Sequence, residues 1–88
     1  MKIKEGFVVR KLASQYVVVA LFGEASKLNY LIKLNTLGVF LWNSLSKDLS
    51  EEELVKLVLD KYDVEESVAK KDVHDFVTVL RERSLINE

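Results

Sequence analysis

The chain has no cysteine, no proline, only three glycines and a single histidine. Without cysteine there can be no disulfide framework, thiolate metal site or cysteine nucleophile, and a reducing cytosol is a compatible setting. Without proline, no residue blocks the continuation of a helix or a strand. Gly6, Gly23 and Gly38 are scattered, so no glycine-rich phosphate loop can be assembled. A lone histidine supports neither a Ser-His-Asp arrangement nor a site built on paired imidazoles. No apolar run approaches the roughly 18 residues that a membrane-spanning helix needs. The opening residues, Met-Lys-Ile-Lys-Glu-Gly, lack a signal-peptide hydrophobic segment. An excess of either charge is missing too: 13 Lys plus Arg stand against 14 Asp plus Glu, a net charge of −1. Nucleic-acid-binding domains normally carry a basic patch or a strongly basic balance. These absences argue for a cytoplasmic protein with no catalytic residues, no metal and no cofactor, and against nucleic acid and membrane as partners.

What remains is enough for a core. The sequence has 88 residues, of which 49% are hydrophobic, so a single small domain over 1–88 is expected. A domain of this size buries only about 60% of its unfolded surface, which leaves a thin stability margin.

The N-terminal third reads as strands. Phe7 to Leu12 is β-rich, with Arg10 and Lys11 breaking the apolar run. Ser14 and Gln15 mark a tight turn. Tyr16 to Leu21 is a continuous Val-rich run, suited to a central strand buried on both faces. Gly23 to Lys27 is polar and reads as a second turn, and Leu28 to Leu34 as a third strand. Short connections between three strands predict an antiparallel meander.

At Asn35 the hydrophobic period changes from two to about 3.6. The strand runs into a helix with no loop between them, and Asn is among the best N-cap residues. This first helix, about 36 to 46, carries Leu37, Phe40, Leu41 and Leu45 on one face. Gly38 lies inside it, where Gly costs roughly 1 kcal/mol relative to Ala. Trp42, four residues on, is expected to pack over Gly38 and to be mainly structural. Ser50 followed by Glu53 is a capping-box signature that opens a second helix with the stripe Leu54, Leu57 and Val58. Asp63 followed by Glu66 suggests a second box, opening a long third helix through about Arg83. Leu85 and Ile86 should pack back onto the core. The predicted class is α+β, ordered βββααα: a three-stranded antiparallel sheet followed by a three-helix bundle.

The carboxylates at 51–53 and at 63, 65 and 66 crowd helix starts, where the macrodipole favours anions, so acid/base or metal chemistry is not needed to explain them. His74 has Lys70, Lys71, Val77 and Thr78 as helical neighbours and reads as a solvated surface residue. The second and third helices outline a helix-turn-helix with the sheet as a wing. Its reading element would carry Lys70, Lys71 and His74, but also Glu65, Glu66, Asp72 and Asp75. Those carboxylates would repel phosphate, so a winged-helix DNA-binding regulator is the rival reading rather than the leading one.

The third helix has apolar positions at Val68, Ala69, Val73, Phe76, Val77, Val79 and Leu80, roughly half its circumference. One core contact needs a stripe of only about 100°. A helix buried deeply would explain this width. So would a helix with one flank on the core and the other lining a groove. A third strand at a sheet edge beside such a groove has what β-augmentation by an extended peptide requires.

The motif Leu34-Asn35-x-x-Gly38-x-x-x-Trp42 resembles the pyrroloquinoline quinone (PQQ) biosynthesis protein D, or PqqD-like, family. The resemblance continues through Ser50-x-x-Glu53-Leu54, Tyr62-Asp63, Asp72-Val73-x-x-Phe76-x-x-x-Leu80-Arg81 and the terminal Leu85-Ile86. Ser84 stands where the family commonly has Gly. The resemblance implies a winged-helix-like peptide recognition element. Such domains bind the leader segment of a ribosomally made precursor peptide and deliver it to a modifying enzyme, often a radical S-adenosylmethionine (SAM) protein. The implied peptide-binding residues are Tyr30, Leu31, Ile32, Lys33 and Leu34 of the third strand and Val73, Phe76, Val77 and Leu80 of the third helix. A second copy of the chain could pair with the same edge, giving a homodimer.

Overall fold

Two helix caps fix the frame. In the computed structural model, which describes residues 1–21 and 32–88, the Asn35 side-chain Oδ1 accepts the Gly38 N–H at 2.7 Å. Ser50 and Glu53 form a reciprocal capping box, each side chain meeting the other's backbone N–H at 3.1 Å. From these points run α1 (Thr36–Ser44) and α2 (Glu51–Lys61). The last helix, α3 (Glu66–Glu82), starts later than the sequence suggests. Its N-cap is Glu65, which makes no side-chain cap bond, so the Asp63–Glu66 box does not form. Residues 63–65 are instead a non-helical link between α2 and α3, with Glu65 extended at φ −70° and ψ 150°.

Before the helices lie β1 (Lys2–Ile3), β2 (Phe7–Leu12), β3 (Gln15–Ala20) and β4 (Ile32–Leu34). The antiparallel sheet has the order β2-β3-β4, so β3 is central, as its apolar run suggests. Its register pairs Leu12 with Gln15 and Tyr16 with Leu34. The turn therefore falls on Ala13 and Ser14 rather than on Ser14 and Gln15. Ala13 takes a φ of 56°, the left-handed value that a two-residue hairpin loop demands. The predicted turn at 23–27 and the first part of the predicted third strand, 28–31, lie outside the described residues.

One pairing has no counterpart in the sequence reading. β1 joins β5 (Ile86–Asn87) as a two-stranded antiparallel ribbon. The Ile3 N–H donates to the Leu45 carbonyl at 3.0 Å and the Lys4 N–H to the Leu85 carbonyl at 2.9 Å. The start of the chain is thus stitched to the end of α1 and to the C-terminal strand. Arg81 grips Glu88 with two bonds, at 2.8 and 2.7 Å, and this pairing holds the Glu88 carboxyl below the usual carboxylate range.

The core lies between one face of the sheet and the three helices. Val18 and Ile32 from the sheet meet Leu41, Trp42 and Leu45 of the α1 region, Leu54, Val55 and Val58 of α2, and Ala69, Val73, Val77 and Leu80 of α3. Leu85 and Ile86 close it from the C-terminus, as their composition suggests. In α2 the inward third position is Val55, while Leu57 is exposed. Gly38 is crowded most closely from the strand side of the helix. A Cβ there would meet Asn35 Oδ1 and Leu34 Cδ2, each at 3.2 Å, so the crowding comes from the preceding strand and the cap.

The end of α3 generates a stability test. Ser84 has a φ of 57°. Its N–H donates to Arg81 at 3.1 Å, and the Leu85 N–H reaches back to Leu80 at 2.9 Å. This is a Schellman ending, with serine where glycine carries no Cβ penalty. Ser84→Gly should raise stability by about 0.5–1 kcal/mol, read as a higher melting temperature. Trp42, 6% exposed, should behave oppositely. Trp42→Ala should cost about 3–5 kcal/mol, seen as a sharp drop in the same melting temperature.

Candidate functional site

The strand β4, last in the sheet among the described residues, the start of α1 and one flank of α3 enclose a groove of about 750 Å³. Ile32, Lys33 and Leu34 of β4 line one side, continuing through Asn35 and Thr36 to Leu37, Gly38 and Leu41. Asp72, Asp75, Phe76 and Val79 form the opposite wall, and Ser14, Gln15 and Tyr16 close one end. The four α3 residues follow i, i+3, i+4, i+7, which places them on a single helix face.

This face separates the site residues suggested by the sequence. Ile32, Lys33, Leu34 and Phe76 line the groove. Val73, Val77 and Leu80 are each 0% exposed and sit in the core. Together with Ala69 they form the inward stripe of α3, rotated away from the groove. Tyr30 and Leu31 lie outside the described residues. The wall also contains Val79, 41% exposed, along with Asp72 and Asp75, none of which belongs to the expected set. Their signal in the sequence is the same i, i+3, i+4, i+7 spacing: two carboxylates mark the solvent side of the face that Phe76 and Val79 share. The third helix therefore has both properties that its wide apolar stripe allows, one flank on the core and one on a groove.

The sheet register also settles a backbone question. Leu12 and Gln15 close a two-residue hairpin loop, whose closing pair is hydrogen-bonded. Pairs alternate along an antiparallel ladder, so the backbone groups of Tyr16 and Val18 turn toward β4. Tyr16 with Leu34, and Val18 with Ile32, are then the hydrogen-bonded pairs, and Val17 with Lys33 is not. The Lys33 N–H and C=O consequently point away from β3, to the outer side of the sheet. Ile32 and Leu34 share the face that packs toward the helices, where Ile32 is 8% exposed.

The groove is apolar at its floor and acidic on its α3 rim. Asp75 accepts a bond from Lys71 at 2.7 Å, and that contact raises the Lys71 pKa above its ordinary value. Asp72 has no ion-pair partner within 4.0 Å among the described residues. His74 points elsewhere, exposed, with Nδ1 a long 3.4 Å from Glu51 Oε2. No group of three or more His, Cys, Asp or Glu among the described residues could hold a metal ion. No helix among them is long and apolar enough to cross a membrane.

Two solved structures share this architecture. TbiB1, determined in complex with the TbiA(beta) leader peptide, aligns with a TM-score of 0.72 at 25% identity, covering 97% of this chain and 93% of that one. Lasso peptide synthetase B1, complexed with the leader peptide, aligns with a TM-score of 0.72 at 18% identity, covering 99% and 96%. The second likeness is one of fold alone. No curated protein matches the chain. Residues 18–86, from the central strand to the C-terminal strand, match the family model of coenzyme PQQ synthesis protein D (PqqD), and the chain belongs to that family.

Proposed function

We propose that this chain is a non-catalytic module that binds the leader segment of a ribosomally made precursor peptide and presents it to a modifying enzyme. The observation that carries the reading is the coincidence of an end strand and a groove. Among the described residues β4 is last in the sheet order, and an apolar groove runs between it and α3. An extended peptide laid along β4 would gain backbone hydrogen bonds there, and its side chains on one face would enter the groove. Affinity would come largely from the backbone and selectivity from the groove. The family membership and the leader-bound TbiB1 relative support the same reading.

The binding residues of this proposal are Ile32, Lys33 and Leu34 from the strand, with Tyr30 and Leu31 preceding them, and Phe76 and Val79 from the helix. Val73, Val77 and Leu80 act indirectly, by holding α3 at its distance from β4. The modifying enzyme is proposed to be a radical SAM protein, in the cytoplasm, with the single domain 1–88 acting as the peptide carrier. The acidic wall of α3 disfavours duplex DNA as a ligand, because Asp72 and Asp75 stand where phosphates would approach.

Isothermal titration against leader peptides encoded beside this gene tests the proposal. Lys33→Pro removes the N–H that the register turns away from β3 and leaves the pairs to β3 in place. It should weaken leader binding about tenfold or more while helical circular dichroism is retained. Parental affinity in the folded variant would exclude strand addition at β4.

A second pair of variants separates groove from core. Val79→Asp places a charge on an exposed groove wall and should abolish binding in a folded protein. Val77→Asp, two residues away, buries that charge in the core and should unfold the domain, at a cost of several kcal/mol. If Val79→Asp binds leader normally, α3 is not part of the site.

A further inference from the structure

A second groove, of about 630 Å³, lies on the other flank of α1. Its apolar wall is Val39 and Phe40 of α1, Leu49 of the following link, and Leu57 and Tyr62 from α2 and its end. Leu57 is 36% exposed here although it sits in an otherwise well-packed helix. Phe40 and Tyr62 meet edge to face, with ring centroids 5.8 Å apart. The Lys61 ammonium lies 4.9 Å from the centre of the Phe40 ring and 5.9 Å from that of Tyr62. Lys47 lines the same groove.

The charge of this groove is one-sided. Lys47 and Lys61 line it and no carboxylate does. Asp60 and Asp63, close by in the chain, are not among its walls, and Asp48 is engaged by the N-terminal ammonium at 2.7 Å. Lys61 has no carboxylate within ion-pair distance among the described residues. Its ammonium is held over two π faces, which orient a cation without neutralising it. The result is an apolar shelf with an oriented, uncompensated cation at its rim, whereas the first groove has an acidic rim.

We propose that this groove docks an acidic segment of a partner protein, with an aromatic or aliphatic side chain seated between Phe40 and Leu57 and a carboxylate meeting Lys61. Charge complementarity selects this occupant: a basic segment would meet two ammonium groups, and a purely apolar one would leave them uncompensated. The two linings share only Thr36 of α1, so the proposal includes holding this partner and a peptide at β4 at the same time. The proposal does not rest on the leader-peptide reading, since none of the residues it invokes belongs to the β4–α3 groove.

The test is an amide NMR titration of the labelled full chain with two synthetic amphipathic probes. One is built from Glu, Leu and Phe, and the other is identical but with Lys for Glu. The Glu probe should saturably shift signals of Val39, Phe40, Lys47, Leu57 and Tyr62, and added salt should weaken it. Lys61→Gln, an exposed change that preserves the fold, should weaken it about fivefold, the upper range for a rim ion pair. Lys61→Glu should weaken it further. Leader binding at β4 should be unchanged in both variants, so failure here is separable from failure of the leader-peptide reading. Equal shifts from the Lys probe, shifts confined to β4 and the outer flank of α3, or no shifts from the Glu probe would overturn the proposal.

Discussion

The geometry of this domain turns on five residues in which a strand becomes a helix without a loop. Leu34 ends β4, Asn35 caps α1, and the Asn35 side chain holds the Gly38 N–H at 2.7 Å. A loop would let the helix axis drift; a cap placed directly on the strand end does not. The cost is crowding, since any Cβ at Gly38 would come within 3.2 Å of both Leu34 and Asn35. A Cβ contact that short forces the neighbours to give, and here the neighbours are the cap acceptor and the strand's last side chain. Glycine at this position therefore follows from the directness of the junction. Once α1 is so placed, Leu37 and Leu41 fall on the β4 side and Val39 and Phe40 on the α2 side. Both grooves are consequences of that one junction.

The third helix completes the first groove by dividing its apolar residues between two tasks. Ala69, Val73, Val77 and Leu80 are fully buried and anchor α3 against the sheet and α2. Phe76 is half-buried and Val79 remains 41% exposed, so the second flank is apolar without being covered. Leaving such side chains in water forgoes burial free energy of about 25 cal/mol per Å². In a domain this small, that omission is a meaningful fraction of the margin. Tyr16, 37% exposed at the end of the same groove, extends the uncovered surface across the sheet. Contiguous apolar surface rimmed by polar groups is the usual mark of a binding site.

Much of this was legible in the chain because it is local. Asn35 and Ser50 announce their helices through side-chain chemistry, and both cap bonds are present. The continuous Val run marks the central strand, and Leu85 with Ile86 reads as a return to the core. What was not legible is tertiary. The β1–β5 ribbon has two residues per strand, too few for any period, and exists because the Leu45 and Leu85 carbonyls supply partners. Val55 displaces Leu57 from the α2 stripe because the phase of a helix is set by its neighbours. The same reason governs α3: positions 73, 76, 77, 79 and 80 are equally apolar in the sequence, and only the location of the sheet says which ones are spare. The Asp63 box fails because α3 begins only at Glu66, which makes Glu66 the first helical residue rather than the third.

The charge of the first groove's rim bears on why the proposed ligand is a peptide and not duplex DNA. A recognition helix works by bringing cations and amide side chains to a polyanion. Here the outward flank of α3 offers Asp72 and Asp75, and its Lys71 is turned to Asp75 rather than to solvent partners. A phosphate backbone would meet repulsion along the surface that should attract it. An extended peptide carries no such charge in its backbone. It asks only for a line of donors and acceptors with an apolar trough beside it, and a carboxylate on the rim then discriminates by the peptide's side chains instead of opposing it altogether. In the proposed reading the charge of one helix flank selects the ligand class, and the cap, the glycine and the core serve to position that flank.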